Sequence, residues 1–147
     1  MDLKDLIAAA AAKEAAAHDL YAETAAAAED PAVKALLTEL AGDEARHREM
    51  LEGLDVGRLA AFAPQAPRDM KLAEYMDEKP LSPQAGLQEA MVYATHREQE
   101  ARDFYAGMAA SVGEPAAAAL FGKLAAMEAG HKARLEQLYE EMFLRDN

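Results

Sequence analysis

The sequence contains no cysteine and no tryptophan. Within these 147 residues, disulfides, zinc knuckles, thiol nucleophiles and cysteine-ligated iron centres are therefore excluded, and any metal must be held by oxygen and imidazole nitrogen. Positive charge is scarce. Fifteen Lys and Arg stand against 27 Asp and Glu, a formal charge of -12, which argues against nucleic acid and anionic membrane as partners because both are polyanions. Long hydrophobic runs are also missing: the longest, Leu6 to Ala12, is too short to cross a bilayer, and Asp2 and Asp5 stand where a signal peptide would carry positive charge. A cytoplasmic protein is expected. Aromatic residues make up only 6% of a chain that is 52% apolar, and the abundant residue is alanine, the strongest helix former. An all-α fold in one domain, 1–147, follows.

Breakers divide the chain into four long periodic segments and one irregular stretch. Asp30-Pro31, Ser82-Pro83 and Glu114-Pro115 each read as a helix start, with a capping side chain followed by proline where its missing N–H costs nothing. Helices are expected at about 3–29, 31–53, 83–111 and 115–143. Residues 55–81 contain Gly57, Pro64, Pro67 and Pro80 and cannot form one helix, although Met70 to Met76 could form a short one. Extended, that stretch reaches about 90 Å, against about 40 Å for each helix. The expected architecture is a four-helix bundle of two antiparallel hairpins, 1–54 and 82–147, joined by a long crossover at 55–81.

Displacing the sequence by 84 positions aligns Glu14 with Glu98, Asp19 with Asp103, Tyr21 with Tyr105, Pro31 with Pro115, Leu40 with Leu124, Glu44 with Glu128, His47 with His131 and Leu51 with Leu135, without a gap. Helical periodicity alone would align apolar positions, but not Glu, Tyr, Pro and His as well. The chain reads as a duplicated helical hairpin.

The apolar seams carry polar residues at corresponding places. Val33, Leu37, Leu40, Glu44, His47 and Leu51 form one seam, and Phe121, Leu124, Glu128, His131 and Leu135 another. Leu3, Ile7, Ala10, Glu14, Ala17 and Tyr21 face them from the first segment, and Met91, Ala94, Glu98, Ala101 and Tyr105 from the third. Four carboxylates and two imidazoles meeting in a low dielectric are very unfavourable unless cations sit among them. Two divalent ions balance the four carboxylates, and a Glu-x-x-His spacing lets one helix face offer both a bridging oxygen and a terminal nitrogen. Oxygen and imidazole suit iron or manganese, with zinc able to substitute. A single Glu-x-x-His is usually a solvated pair; two in matching seams are not. Tyr21 and Tyr105 lie two turns beyond Glu14 and Glu98, where a hydroxyl either bonds a ligand carboxylate or belongs to an ordinary core aromatic. His18 reads as a rim or surface residue, and His96 is off the seam.

In these residues the sequence resembles the ferritin-like superfamily of di-iron carboxylate proteins, and within it the rubrerythrin-like branch lacking a rubredoxin domain. The pattern of Glu, Glu-x-x-His, Glu and Glu-x-x-His is matched by Glu14, Glu44 with His47, Glu98, and Glu128 with His131. Asp43-Glu44-Ala45-Arg46-His47 also resembles the extended Asp-Glu-x-Arg-His form, in which the aspartate supports a ligand imidazole; this implies such a role for Asp43. The second copy has Met127, Ala129 and Gly130 at the flanking positions, implying two inequivalent metal positions. Rubrerythrins proper also carry a further glutamate near the third-helix Glu, and Ala94, Thr95, Ala101 and Arg102 offer none. The resemblance implies two iron ions and reduction of hydrogen peroxide or dioxygen, with Tyr21, Tyr105 and Asp43 beside the centre. It also implies an external electron donor such as a rubredoxin or flavoprotein reductase, and a homodimer. Ferroxidase or iron-storage activity, a dimanganese catalase and a metal-closed scaffold are the competing readings.

Overall fold

The computed structural model describes residues 2–62, 75–76 and 79–144. Among them there are five α-helices and no strand: α1 (Leu3–Ala27), α2 (Pro31–Glu52), α3 (Val56–Phe62), α4 (Leu87–Ser111) and α5 (Pro115–Tyr139), with Glu140–Leu144 continuing as a wider π-helical turn. No described helix is long and apolar enough to cross a membrane. The helix starts follow local chemistry. Asp2 accepts from the Asp5 amide at 2.9 Å while Asp5 accepts from the Asp2 amide at 3.4 Å, a reciprocal cap that satisfies two otherwise orphaned donors. Asp30 caps α2 through the Ala32 and Val33 amides, and Glu114 caps α5 through those of Ala116 and Ala117, each with proline at the first helical position.

The third long helix begins four residues later than its sequence indicated. Ser82-Pro83 opens a turn: the Ala85 amide donates to the Ser82 carbonyl at 3.0 Å, and the Gln84 amide donates to Ser82 Oγ at 3.2 Å. Proline suits the second position of a turn as well as the start of a helix, because both require the same φ. The side chain that was to cap the helix is spent on that turn, and α4 starts after Gly86 without a side-chain cap. Two other ends are shorter than expected: α1 stops at Ala27 and α5 at Tyr139. The expected helix at Met70 to Met76 falls outside the described residues except at Tyr75 and Met76, which are helical.

α1 lies along α2 and α4 along α5, while α1 meets α4 and α2 meets α5 across the bundle. α3 folds back over α1 and is pinned by buried Leu59 and by Arg58, 3.8 Å from the Glu114 cap. The core forms two clusters. One end collects Leu6, Ile7, Leu51, Tyr75, Phe104, Tyr105, Met108, Phe121 and Leu124; the other is built from Tyr21, Val33, Leu37, Leu40, Ala94 and Leu135. The boundary between them is where Glu14, Glu44, His47, Glu98, Glu128 and His131 are buried.

Most of the aromatic volume sits in the first cluster, so truncation there should be the more damaging. Phe121→Ala removes a fully buried ring and should cost about 3 to 5 kcal/mol. Gly122, next to it, is exposed with open space around its missing Cβ, and Gly122→Ala should stabilise by about 0.8 to 1 kcal/mol. Denaturant unfolding of both variants checks the pair.

Candidate metal centre

All six seam residues reach one level of the bundle, each nine-tenths or more buried. Glu14 comes from α1, Glu44 and His47 from α2, Glu98 from α4, and Glu128 and His131 from α5. Their ligand atoms form two overlapping groups of four. Glu14, Glu44, His47 and Glu128 make one, and Glu44, Glu98, Glu128 and His131 the other; within each, the atoms lie within 4.8 Å of one another. Glu44 and Glu128 belong to both, the arrangement two bridged cations require. The Nδ1 atom of each imidazole faces the carboxylates: His47 Nδ1 is 2.9 Å from Glu128 Oε1 and 3.5 Å from Glu44 Oε1, and His131 Nδ1 is 3.1 Å from Glu44 Oε1 and 3.5 Å from Glu98 Oε2. The rings lie nearly parallel, 5.8 Å apart.

These approaches do not have hydrogen-bond geometry. Glu14 Oε2, Glu44 Oε1, Glu98 Oε2, Glu128 Oε1 and both Nδ1 atoms are buried without a hydrogen-bond partner in the protein. Orphaned polar atoms in a core carry a penalty of about 1 to 3 kcal/mol each, more when charged, so six converging on two small volumes fit a pair of divalent cations and little else.

The surrounding side chains place the carboxylates. Tyr21 on α1 donates to Glu98 Oε1 on α4 at 2.5 Å, and Tyr105 on α4 donates to Glu14 Oε1 on α1 at 2.5 Å. Each hydroxyl reaches the other hairpin's glutamate, leaving the second oxygen of that glutamate directed at the centre. Burial first, then the facing carboxylates, push both phenols well above their ordinary value, so they remain donors. The opposite face has a third support, since Asp43 Oδ2 is 2.9 Å from His131 Nε2 and Asp43 is also paired with Arg46. A donor hydrogen on Nε2 leaves the Nδ1 lone pair for a metal. The repeat breaks here. Met127 occupies the place equivalent to Asp43, and His47 Nε2 is buried without a partner.

The family model for rubrerythrin matches residues 5–139. The chain belongs to the rubrerythrin family. Rubrerythrins are ferritin-like di-iron proteins, and the buried Glu and His cluster is of metal-binding composition. No individual curated protein and no solved structure is significantly similar to the chain.

The residues singled out in the sequence are brought together, and those set aside stay apart: His18 pairs with Asp19 at the surface and His96 is exposed. Sequence reasoning missed the crossed tyrosine contacts and the residues around the opening of the site, Lys13, Arg97 and Tyr75. Lys13 and Arg97 also stand 84 apart, immediately before Glu14 and Glu98, so the repeat carried a signal for them.

Without cations the cluster holds protons. Burial, then the neighbouring carboxylates, raise Glu44 and Glu128 well above the usual carboxylate range, against a lowering of Glu44 by His131. Burial alone would lower His131, but the Glu44 and Glu98 carboxylates beside it push it up to about 10. Groups raised on folding stabilise fully below their unfolded values, 4.5 for Glu and 6.5 for His, and that contribution is lost as pH rises toward their folded values. Glu14 is held below its ordinary value, chiefly by His47 and Glu44 against burial, and so matters only below 4.5. The metal-free protein should therefore melt at lower temperature as pH rises from about 5 to about 9, while metal affinity rises because ions replace those protons. Melting curves of chelated and metal-reloaded protein across that range check both trends. In a second test, Asp43→Ala should weaken metal binding by about tenfold or more, whereas Met127→Ala should leave affinity near that of the unaltered protein; competitive titration with a chromophoric chelator measures both.

Proposed function

We propose that this rubrerythrin is a di-iron oxidoreductase that reduces hydrogen peroxide or dioxygen with electrons supplied from outside the chain. The observation that carries the reading is the pair of overlapping four-residue groups sharing Glu44 and Glu128. Held by these residues, two adjacent ferrous ions would supply one electron each, enough with two protons to convert one peroxide into two waters. Glu44 and Glu128 would bridge, while Glu14 and Glu98 would each be terminal, oriented by the hydroxyls of Tyr105 and Tyr21. Asp43 fixes the His131 ring so that its Nδ1 faces the centre. The apolar clusters on either side exclude bulk water and keep the reacting species from diffusing away.

With no cysteine in these residues, a cysteine-ligated centre that refills the site with electrons must lie outside them, and a rubredoxin or flavoprotein reductase fits that need. A cytoplasmic homodimer, without nucleic acid or membrane partners, completes the proposal. The chemistry is tested by titrating anaerobically reduced, iron-loaded protein with hydrogen peroxide. Oxidation should stop at about one peroxide per pair of irons and resume only when a donor is added. Sustained peroxide loss with oxygen release and no donor would instead identify a dimanganese catalase, and a large hollow oligomer by native mass analysis would identify iron storage.

A further inference from the structure

Among the described residues, the carboxylate cluster opens toward solvent between α1 and α4. Lys13, Arg97 and Glu100 stand at the opening beside Glu14 and Glu98, and Arg97 Nη2 donates to the Lys13 carbonyl at 3.0 Å, tying the two helices together there. Tyr75, from the connection between hairpins, lies against the same opening. It is only 2% exposed. Its ring stacks on Phe104, with centroids 4.2 Å apart and planes 2° from parallel, and Lys13 Nζ sits 4.6 Å from its centroid. A stacked ring with a cation over it is held in place from both sides. The space left beside the carboxylates is about 20 Å³, room for a water-sized molecule and too little for a branched alkyl or aromatic group.

We propose that Tyr75, clamped by Phe104 and Lys13, is the size-selecting residue at the entrance to the metal centre, passing hydrogen peroxide or dioxygen and rejecting organic hydroperoxides. The inference rests on the oxidant-reducing reading for the identity of what enters, but not for the selection by size. Tyr75 reaches this place from outside the helical seams, so it adds to an opening otherwise edged by residues of α1 and α4.

The size filter can be read without redox chemistry in protein loaded with cobalt(II), whose visible band responds to a new ligand. Azide should perturb the band of the unaltered protein and benzoate should not. Tyr75→Ala should admit benzoate with at least about a tenfold gain in apparent affinity, and Tyr75→Phe, which keeps the ring, should exclude it. Met108→Ala, a core truncation in the same apolar cluster, should lower stability yet keep benzoate out, separating selection from general loosening. If Tyr75→Ala does not fold, Tyr75→Leu serves with the same expectation. In iron-loaded, reduced protein, removing the ring should speed oxidation by tert-butyl hydroperoxide at least about tenfold while changing the hydrogen peroxide rate less than about threefold. Benzoate that binds the unaltered protein as readily as azide, stays excluded from the ring-less variant, or enters Met108→Ala equally well overturns the proposal. If the cobalt experiment behaves as expected but hydrogen peroxide does not oxidise the ferrous site, the gate stands and the oxidant-reducing reading falls.

Discussion

Four carboxylates and two imidazoles at one level of an apolar bundle impose a constraint that the other elements must meet. Charge in such a medium is tolerated only when paired or bound to metal, and here the pairing is divided between neighbours and the centre itself. The outer oxygens of Glu14 and Glu98 are taken by Tyr105 and Tyr21, and His131 Nε2 by Asp43. Apart from the outer nitrogen of His47, what remains unpaired is directed inward. Because each tyrosine and Asp43 reaches the opposite hairpin, the polar layer also ties the halves together, aided at the surface by Arg134 and Glu39 at 2.6 Å. The layer that looks most costly to the core is thus also what registers one hairpin on the other.

The duplication explains why the centre has two similar halves, and its imperfection explains why they are not the same. Glu14, Glu44, His47 and Tyr105 have counterparts at every functional position in Glu98, Glu128, His131 and Tyr21. Asp43 has only Met127. An imidazole whose outer nitrogen donates to a carboxylate is more basic and better oriented than one whose outer nitrogen is buried alone, so the position served by His131 is the better prepared of the two. Two ions held there would have unequal surroundings and need not bind together.

Much of this was legible in the sequence because burial and periodicity write directly into residue spacing. Glu and Glu-x-x-His standing in apolar seams specified the six converging residues, and the proline-marked turns at 30 and 114 specified the hairpins. Ser82-Pro83 misled because proline satisfies a turn and a helix start by the same fixed φ, and only the hydrogen bonds of Ser82 distinguish them. The tyrosine partners were hidden for another reason. Seven residues separate Tyr21 from Glu14 on one helix, which makes them look like companions, whereas the contact depends on how α1 faces α4. Tyr75 falls in the short helix expected at Met70 to Met76, outside the four long seams, so no seam spacing could have placed it beside Phe104.

The two open faces of the bundle carry different chemistry. Between α2 and α5, Asp43 and Arg46 close over His131 and are joined by the Arg134–Glu39 pair, whose guanidinium also feels Asp43. That face is polar, tied by ion pairs, and occupied with holding an imidazole. Between α1 and α4 there is a narrow opening edged by Lys13, Arg97, Glu100 and the ring of Tyr75, beside Glu14 and Glu98. For the small neutral oxidant of the proposed function there is no charge by which a protein can grip it, so on that reading selection comes from the dimensions of the passage. The asymmetry of the faces suits that proposal: one side is occupied with orienting His131 through Asp43, leaving the other as the route to the carboxylates.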